Sequence, residues 1–421
     1  MKRFAALILC AAVVLIFPGC ADRSDDPGPV QDGNSPATVE QETEAPGADP
    51  IIESDYPGLS EEIEGQNRRI SVLCAGDNVI HPALYMEAKN RAGAGTRSYN
   101  FLPMYADIAD LVKESDISFI NQETLMAGDE KYGLSGYPMF NSPQDLAYEL
   151  IDLGFDIVNM ANNHMLDKGE SGLRDSIDFY DSLKDDVMMV GGYRDAADYD
   201  TLRFYDHEGF RIAVLSYTYG TNGLILPYGS DLVVPYLDED TVSRQVRNAK
   251  ENADLVFVSV HWGTENLLSV TDEQKNYASI MADAGADVII GHHPHVIQPI
   301  EWIDRGDGKR TLCIYSLGNL VSEMALSINM IGCLVTFDIV VENGGDPFID
   351  NVLFTPTVFH YGLNYFGTHL YLMEDYTEEL AAKHGTRIYG SGPSYTYKLK
   401  DMQDVVKRAI SEEFLPDFLK S

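Results

Sequence analysis

Val288-Ile289-Ile290-Gly291 leads an apolar, β-branched run straight into His292, His293 and His295, three imidazoles within four positions. Comparable junctions recur along the chain. One apolar run closes on Asp77, another on Asn121 and Glu123, another on Asn162-Asn163-His164, another on His261, and a last on Ser316 and Asn319. Carboxylate, amide and imidazole groups together are ligands for a borderline divalent cation, one ion or two, of manganese, zinc or iron. His81, four positions after Asp77, joins the candidates. An imidazole titrates near neutrality, so His164 can also donate a proton to a leaving group, with Asp167 three positions on to orient it. Trp262 and Glu265, just behind His261, are placed to shape a pocket. Ser316 has no positioned base near it in sequence, so a substrate-binding or structural loop explains it better than a nucleophile does. Asn121, Asn162, His292 and Asn319 are grouped with these three as substrate contacts.

Residues so far apart must be gathered by the order of elements. The runs 70–77, 116–123, 155–164, 211–219, 255–263, 287–295, 311–319 and 333–341 are short, apolar and rich in β-branched residues, and read as strands. The segments 105–115, 142–154, 172–184, 237–253 and 272–285 carry helical periodicity. Strands alternating with helices predict an α/β domain with layered sheets. In such sheets ligands collect outside the carboxyl ends of the strands, and the polar junctions fall at those ends. Alternate residues of an extended segment share a face. That pairs His293 with His295 and turns His292 away, or into a supporting contact. A lone histidine after an apolar strand usually becomes a satisfied core residue, but His261 has the other junctions converging on it.

In chain order, GDNVIH (76–81), NQET (121–124), MANNHMLDKGESGL (160–173), VHWGTEN (260–266), GHHPHVIQPIE (291–301) and YSLGNLV (315–321) resemble the successive motifs of the CapA-type poly-γ-glutamate capsule-synthesis family, across about residues 69–359. The resemblance implies a calcineurin-like metallophosphoesterase fold, a layered α/β/β/α sandwich of two facing sheets flanked by helices. It also implies a membrane-anchored role in making or exporting poly-γ-glutamate. It makes Asp77 a metal ligand. The parent superfamily has a histidine two residues later, where this chain has Val79, and the nearest histidine is His81. The bridging aspartate of the second strand end is absent, which leaves Glu123 to supply that carboxylate. Asn162-Asn163-His164 matches a Gly-Asn-His element with asparagine for glycine, so the Asn163 amide oxygen becomes a ligand and His164 the acid beside it. The parent Gly-His-x-His pattern would align His292 with the first ligand and Pro294, which cannot ligate, with the second. The competing pair, His293 and His295, is preferred.

Composition bounds the rest. The chain has 421 residues, is 45% hydrophobic, and carries a formal net charge of −36. So acidic a protein repels a phosphate backbone, which argues against binding nucleic acid. A metal ion reverses the sign locally and keeps an anionic substrate open. Lys2, Arg3 and the apolar run 4–17 read as a signal peptide, and Gly19-Cys20 resembles a lipobox that would leave Cys20 lipidated. Residues 1–20 are assigned to this lipoprotein signal, and 21–65, acidic and rich in Pro and Gly, to a disordered tether. Residues 66–373 form the metallophosphoesterase-like domain and 374–421 a small helical appendage. Cys74, Cys313 and Cys333 sit in apolar runs and are expected to be core residues.

These readings describe a lipid-anchored protein on the extracellular face of the bacterial cytoplasmic membrane. Its expected partners are the membrane subunits of a capsule-polymer synthase, and its expected substrate is an anionic polymer or a phosphorylated intermediate. A metal-dependent phosphoesterase acting on some other phosphoester, and a metal-bearing scaffold without turnover, are the other two classes.

Overall fold

The computed structural model describes residues 67–95, 97–386 and 396–420. The expected signal peptide, Cys20 and the tether lie outside the described residues. In chain order the strands are β1 (Arg68–Asn78), β2 (Ile117–Gln122), β3 (Ile157–Asn159), β4 (Met188–Val190), β5 (Phe204–His207), β6 (Phe210–Thr218) and β7 (Leu255–His261). They continue as β8 (Val288–His292), β9 (Ile300–Asp304), β10 (Arg310–Ile314), β11 (Asn319–Val321), β12 (Ile331–Val341), β13 (Phe348–His360) and β14 (His369–Leu372).

Two sheets form. The first is eight-stranded in the order β14-β13-β12-β1-β2-β3-β4, with β11 added against β1. The second is six-stranded in the order β5-β6-β7-β8-β10-β9. Within them β1 to β4, and β6, β7, β8 and β10, run parallel. Two sheets with helices are what the alternation of elements predicts.

Side-chain alternation explains the layers. On β6, Ile212 and Val214 join the large core shared with Ile70, Val72 and Val335 of the first sheet, whereas Ala213, Leu215 and Tyr217 face a second core. The helices Glu239–Asn252 and Asp272–Ala284 close that second core with Val242, Val246, Ala278 and Met281. Both helices are capped as their sequences dictate. Asp238 accepts from Thr241 N, and Thr271 forms a capping box with Gln274. The helices Asp145–Leu153 and Gly169–Asp181 bury Leu146, Leu150, Leu173 and Ile177 in the large core. Past Met373, Tyr376, Ala381, Met402 and Val406 belong to that same core. Cys74, Cys313 and Cys333 are buried and free, as expected.

Two glycines are required by close approach. A Cβ on Gly76 would lie 2.1 Å from the Gly318 carbonyl oxygen, and one on Gly291 would lie 2.1 Å from that of Tyr315. Each stands immediately before a candidate ligand or its neighbour, Asp77 or His292, where a loop crosses the strand end.

Candidate metal centre

The carboxyl ends of β1, β2 and β3 in the first sheet meet those of β7 and β8 in the second. Asp77 is the penultimate residue of β1, Glu123 follows β2, His261 ends β7, and His293 and His295 follow β8. Glu123, His293 and His295 each bring one donor atom within 4.8 Å of the others, and so do Asp77, Glu123 and His261. All five residues are buried. His295 Nε2 lies 3.5 Å and His261 Nε2 3.7 Å from Glu123 Oε1. His295 Nδ1 lies 3.2 Å from Asp77 Oδ2. The Asn163 amide oxygen sits 3.0 Å from His261 Nε2, on the same centre.

His293 and His295 do converge, but not through strand alternation. Their φ angles are +97° and +56°, a region that side-chain-bearing residues rarely occupy. The chain leaves β8 in a left-handed turn that points both rings inward, and backbone strain of this kind collects at functional sites. His292 stays on the strand and stacks on Phe119, with ring centroids 5.9 Å apart. Its Nδ1 lies 3.4 Å from Asp77 Oδ1, behind the cluster.

The unsatisfied atoms show what the cluster lacks. Both carboxylate oxygens of Glu123, together with Nδ1 of His261 and of His293, are buried without a hydrogen-bond partner. Buried polar groups normally have partners. Burial pushes the Glu123 carboxyl well above its ordinary range, and Asp77 adds to the push. Burial also raises Asp77, but His292 and His295 outweigh it and hold that carboxyl well below. Burial drives His293 down to about 3 and His261 well below the ordinary imidazole value, so both are neutral and carry a free lone pair. His295 goes the other way. Burial lowers it, yet the charges of Glu123 and Asp77 lift it to about 10. The unmet oxygens of Glu123 and the unmet nitrogens of neutral His261 and His293, beside Asp77 and His295, fit a divalent cation.

Beside this cluster, His164 Nδ1 lies 2.8 Å from Asp167 Oδ2, and both side chains are buried. Asp167 Oδ2 also accepts from Phe140 N at 2.6 Å, which locks the carboxylate in place. With Nδ1 committed, Nε2 is the atom left to exchange a proton. His164 belongs to neither ligand group.

Several expected roles change. His81 is outside both ligand groups; its Nδ1 lies 3.0 Å from Val79 O, and burial lowers its pKa to about 4. Trp262 does not shape the pocket. It follows His261 along the strand, so it points to the opposite face, into the second core, where its indole N–H donates to Tyr315 O at 2.9 Å. Ser316 is buried, and its hydroxyl oxygen accepts from Gly318 N at 3.2 Å within its own loop. Asn121, Asn162 and Asn319 are buried and support other site residues instead of facing a substrate. Asn121 donates to Asp77 Oδ1 at 2.8 Å. Asn162 Oδ1 accepts from His164 N at 2.9 Å, and Asn319 Oδ1 lies 2.9 Å from His295 Nδ1. Glu265 alone of the expected contacts is exposed, and its charge acts on Glu123 and His295 from the mouth of the site.

Tyr219 was not among the expected residues. It is 40% exposed, and its ring centroid lies 4.5 Å from that of His293 and 6.3 Å from that of His261. It follows β6, so the strand-end rule applied to 211–219 would have pointed to it. Asn222, on the loop beyond, accepts from Asn163 Nδ2 at 3.3 Å. Asn159 and Ser216 were also missed, being single small polar residues inside strands.

A sequence profile described as "Bacterial capsule synthesis protein PGA_cap" matches residues 71–324, the span that holds every strand-end ligand. The chain belongs to this family. It is 27% identical over 294 residues to the capsule biosynthesis protein CapA of Bacillus anthracis, covering 68% of this chain and 67% of that one. It is 34% identical over 190 residues to the PGA biosynthesis protein CapA of Bacillus subtilis, covering 45% of this chain and 48% of that one. The chain thus spans about two thirds of the first relative and about half of the second. Among solved structures, a 5'-nucleotidase precursor from Thermus thermophilus overlaps 69% of this chain and 54% of its own, at 15% identity and a TM-score of 0.42. So loose a likeness leaves the family's chemistry here to rest on the site itself.

Proposed function

We propose that this chain is a metal-dependent protein of poly-γ-glutamate capsule synthesis or export. In this reading Cys20 carries a lipid that anchors it to the outer face of the bacterial cytoplasmic membrane, beside the membrane subunits of a polymer synthase. The observation that carries the proposal is the buried cluster of Asp77, Glu123, His261, His293 and His295, with its unpartnered acceptor atoms, in a member of a capsule-synthesis family. Those five residues and the Asn163 amide oxygen would hold one or two ions of manganese, zinc or iron. Such an ion supplies Lewis-acid polarisation of a phosphoryl or carbonyl oxygen.

The protein's own groups do the remaining work. Neutral His261 and His293 offer lone pairs without first losing a proton. Asp167 holds His164 in the tautomer that bears hydrogen on Nδ1. His164 Nε2, once protonated, gives its proton to the leaving oxygen, a contribution of roughly 10²–10⁴-fold. Tyr219, half out of the site, forms the wall that an incoming chain or ester would meet. The substrate on this reading is the anionic polymer or a phosphorylated intermediate, held by the cation despite the acidity of the protein.

The His164–Asp167 pair also favours a second reading, hydrolysis of a phosphoester unrelated to capsule. Metal content per chain tests the site common to both, in wild type, His261→Ala and His164→Ala. Wild type and His164→Ala should carry equal metal, and His261→Ala should carry less. Equal metal in all three, or none in any, would mean that the site does not exist as drawn. Turnover of p-nitrophenyl phosphate against that of a γ-glutamyl oligomer then separates the two readings.

A further inference from the structure

Four strands carry one row of polar side chains beneath the cluster. Asp77, Asn121 and Asn159 are register partners on β1, β2 and β3, so they form one rung of the first sheet. All three are fully buried. Asn121 Nδ2 donates to Asp77 Oδ1 at 2.8 Å, and Asn159 Nδ2 donates to Asn121 Oδ1 at 2.8 Å. Ser216 on β6, in the other sheet, donates its hydroxyl to Asn159 Oδ1.

The direction of this chain is fixed by backbone. Ala161 N–H can only donate, and it reaches Asn159 Oδ1 at 3.0 Å. The Ala161 carbonyl can only accept, and it takes Asn159 Nδ2 at 3.2 Å. The Asn159 amide therefore has one orientation, with its NH2 toward Asn121. Asn121 must then offer its oxygen to Asn159 and its NH2 to Asp77. Reversed, Asn121 would press a carbonyl oxygen against a carboxylate oxygen.

We infer that Asn159 is a positioning residue for the metal centre: it acts through Asn121 to orient the Asp77 carboxylate, committing Oδ1 to a donor and leaving the remaining lone pairs in a set direction for the cation. The inference rests on the metal-centre reading above. No strand carries more than one link, so the relay also sets the register of the two sheets at the level of the site. Outer groups that orient metal ligands contribute about 10–100-fold to metal affinity.

The test is calorimetric titration of Mn²⁺ into the metal-stripped full chain, as wild type, Asn159→Ala, Asn121→Ala and the double variant. Asn159→Ala should raise the Mn²⁺ Kd by about 10-fold or more. Because Asn159 works through Asn121, the double variant should bind as weakly as Asn121→Ala and no weaker. A purely structural role would instead make the two losses multiply. An unchanged Kd in Asn159→Ala, or multiplying losses, overturns the relay while leaving the metal centre standing. Failure of the wild type to bind Mn²⁺ overturns both. Should Asn159→Ala not fold, Ser216→Ala replaces it at the far end of the same chain. It should weaken binding in the wild-type background and leave Asn121→Ala unchanged, and any other pattern overturns the relay.

Discussion

His384 gives a prediction whose size can be worked out. It lies just after the helix Glu378–Lys383 and is 1% exposed. Its Nε2–H donates to Phe359 O at 3.0 Å, and its Nδ1 accepts from Thr386 N–H at 3.0 Å. Both ring nitrogens are committed, and the ring is neutral. Protonating Nδ1 would break the bond to Thr386 and leave a buried cation beside His360, whose ring centroid is 4.9 Å away. Burial accordingly holds the His384 pKa down to about 3. Above about pH 6.5 neither the folded nor the unfolded chain binds this proton, and the residue adds no pH dependence. As pH falls below that value the unfolded chain takes the proton and the folded chain refuses it, so stability is lost until about pH 3. At 1.36 kcal/mol per pH unit, the loss at pH 5 is about 2 kcal/mol relative to pH 7. Urea denaturation of the full chain at both pH values, followed by far-UV circular dichroism, measures it. His384→Gln keeps one donor and one acceptor but cannot titrate. Its stability should fall by about 2 kcal/mol less than that of the wild type between pH 7 and 5. Equal pH dependence in the two proteins would refute the reasoning.

Other outcomes follow from the same contacts. Gly291→Ala would place a Cβ 2.1 Å from Tyr315 O and 2.5 Å from Tyr315 C, both backbone atoms. It should cost at least about 1–3 kcal/mol, and an unchanged denaturation midpoint would contradict the close approach. Asp167→Ala leaves the ligand set untouched and removes the acceptor that fixes His164. It should keep its metal by elemental analysis while turnover drops by about 10²-fold, within the range of general-acid effects; full activity would remove Asp167 from the mechanism. Cys20→Ala should abolish incorporation of a radiolabelled fatty acid and release the chain from the membrane fraction, and persistent labelling would place any lipid elsewhere.

Much of the site was legible because strand-end placement depends only on where apolar runs stop. Asp77, Glu123, His261 and the pair His293 and His295 all lie at such stops and do converge. The conformation of the pair was not legible. Alternation along an extended segment pairs His293 with His295, and the two do meet, yet the chain brings them together with two positive φ angles. Proximity in sequence to His261 does not put Trp262 in the pocket, because it says nothing about face, and neighbours on a strand point apart. Asn121, Asn162 and Asn319 stand behind other site residues; polarity at a strand end signals a site without saying which groups face outward. The strand β13 escaped notice for a composition reason. Its first half is largely exposed and holds Asp350 and Asn351, and Pro356 interrupts the second; these are residues that argue against a strand. The three-residue strands β4 and β11 are too short to show a period.

The acids and the imidazoles of the cluster come from different sheets. Asp77 and Glu123 belong to the first, and His261, His293 and His295 to the second. Neither sheet alone owns a complete ligand set. A cation therefore cannot template the folding of either half, and capture must wait until the halves have docked. An ion held there would cross-link them. Its binding free energy would become resistance to separation, about 2.7 kcal/mol at a free ion concentration 100 times Kd. Chelation would then loosen the sandwich along the seam between its sheets, so that loss of metal and loss of rigidity become one event.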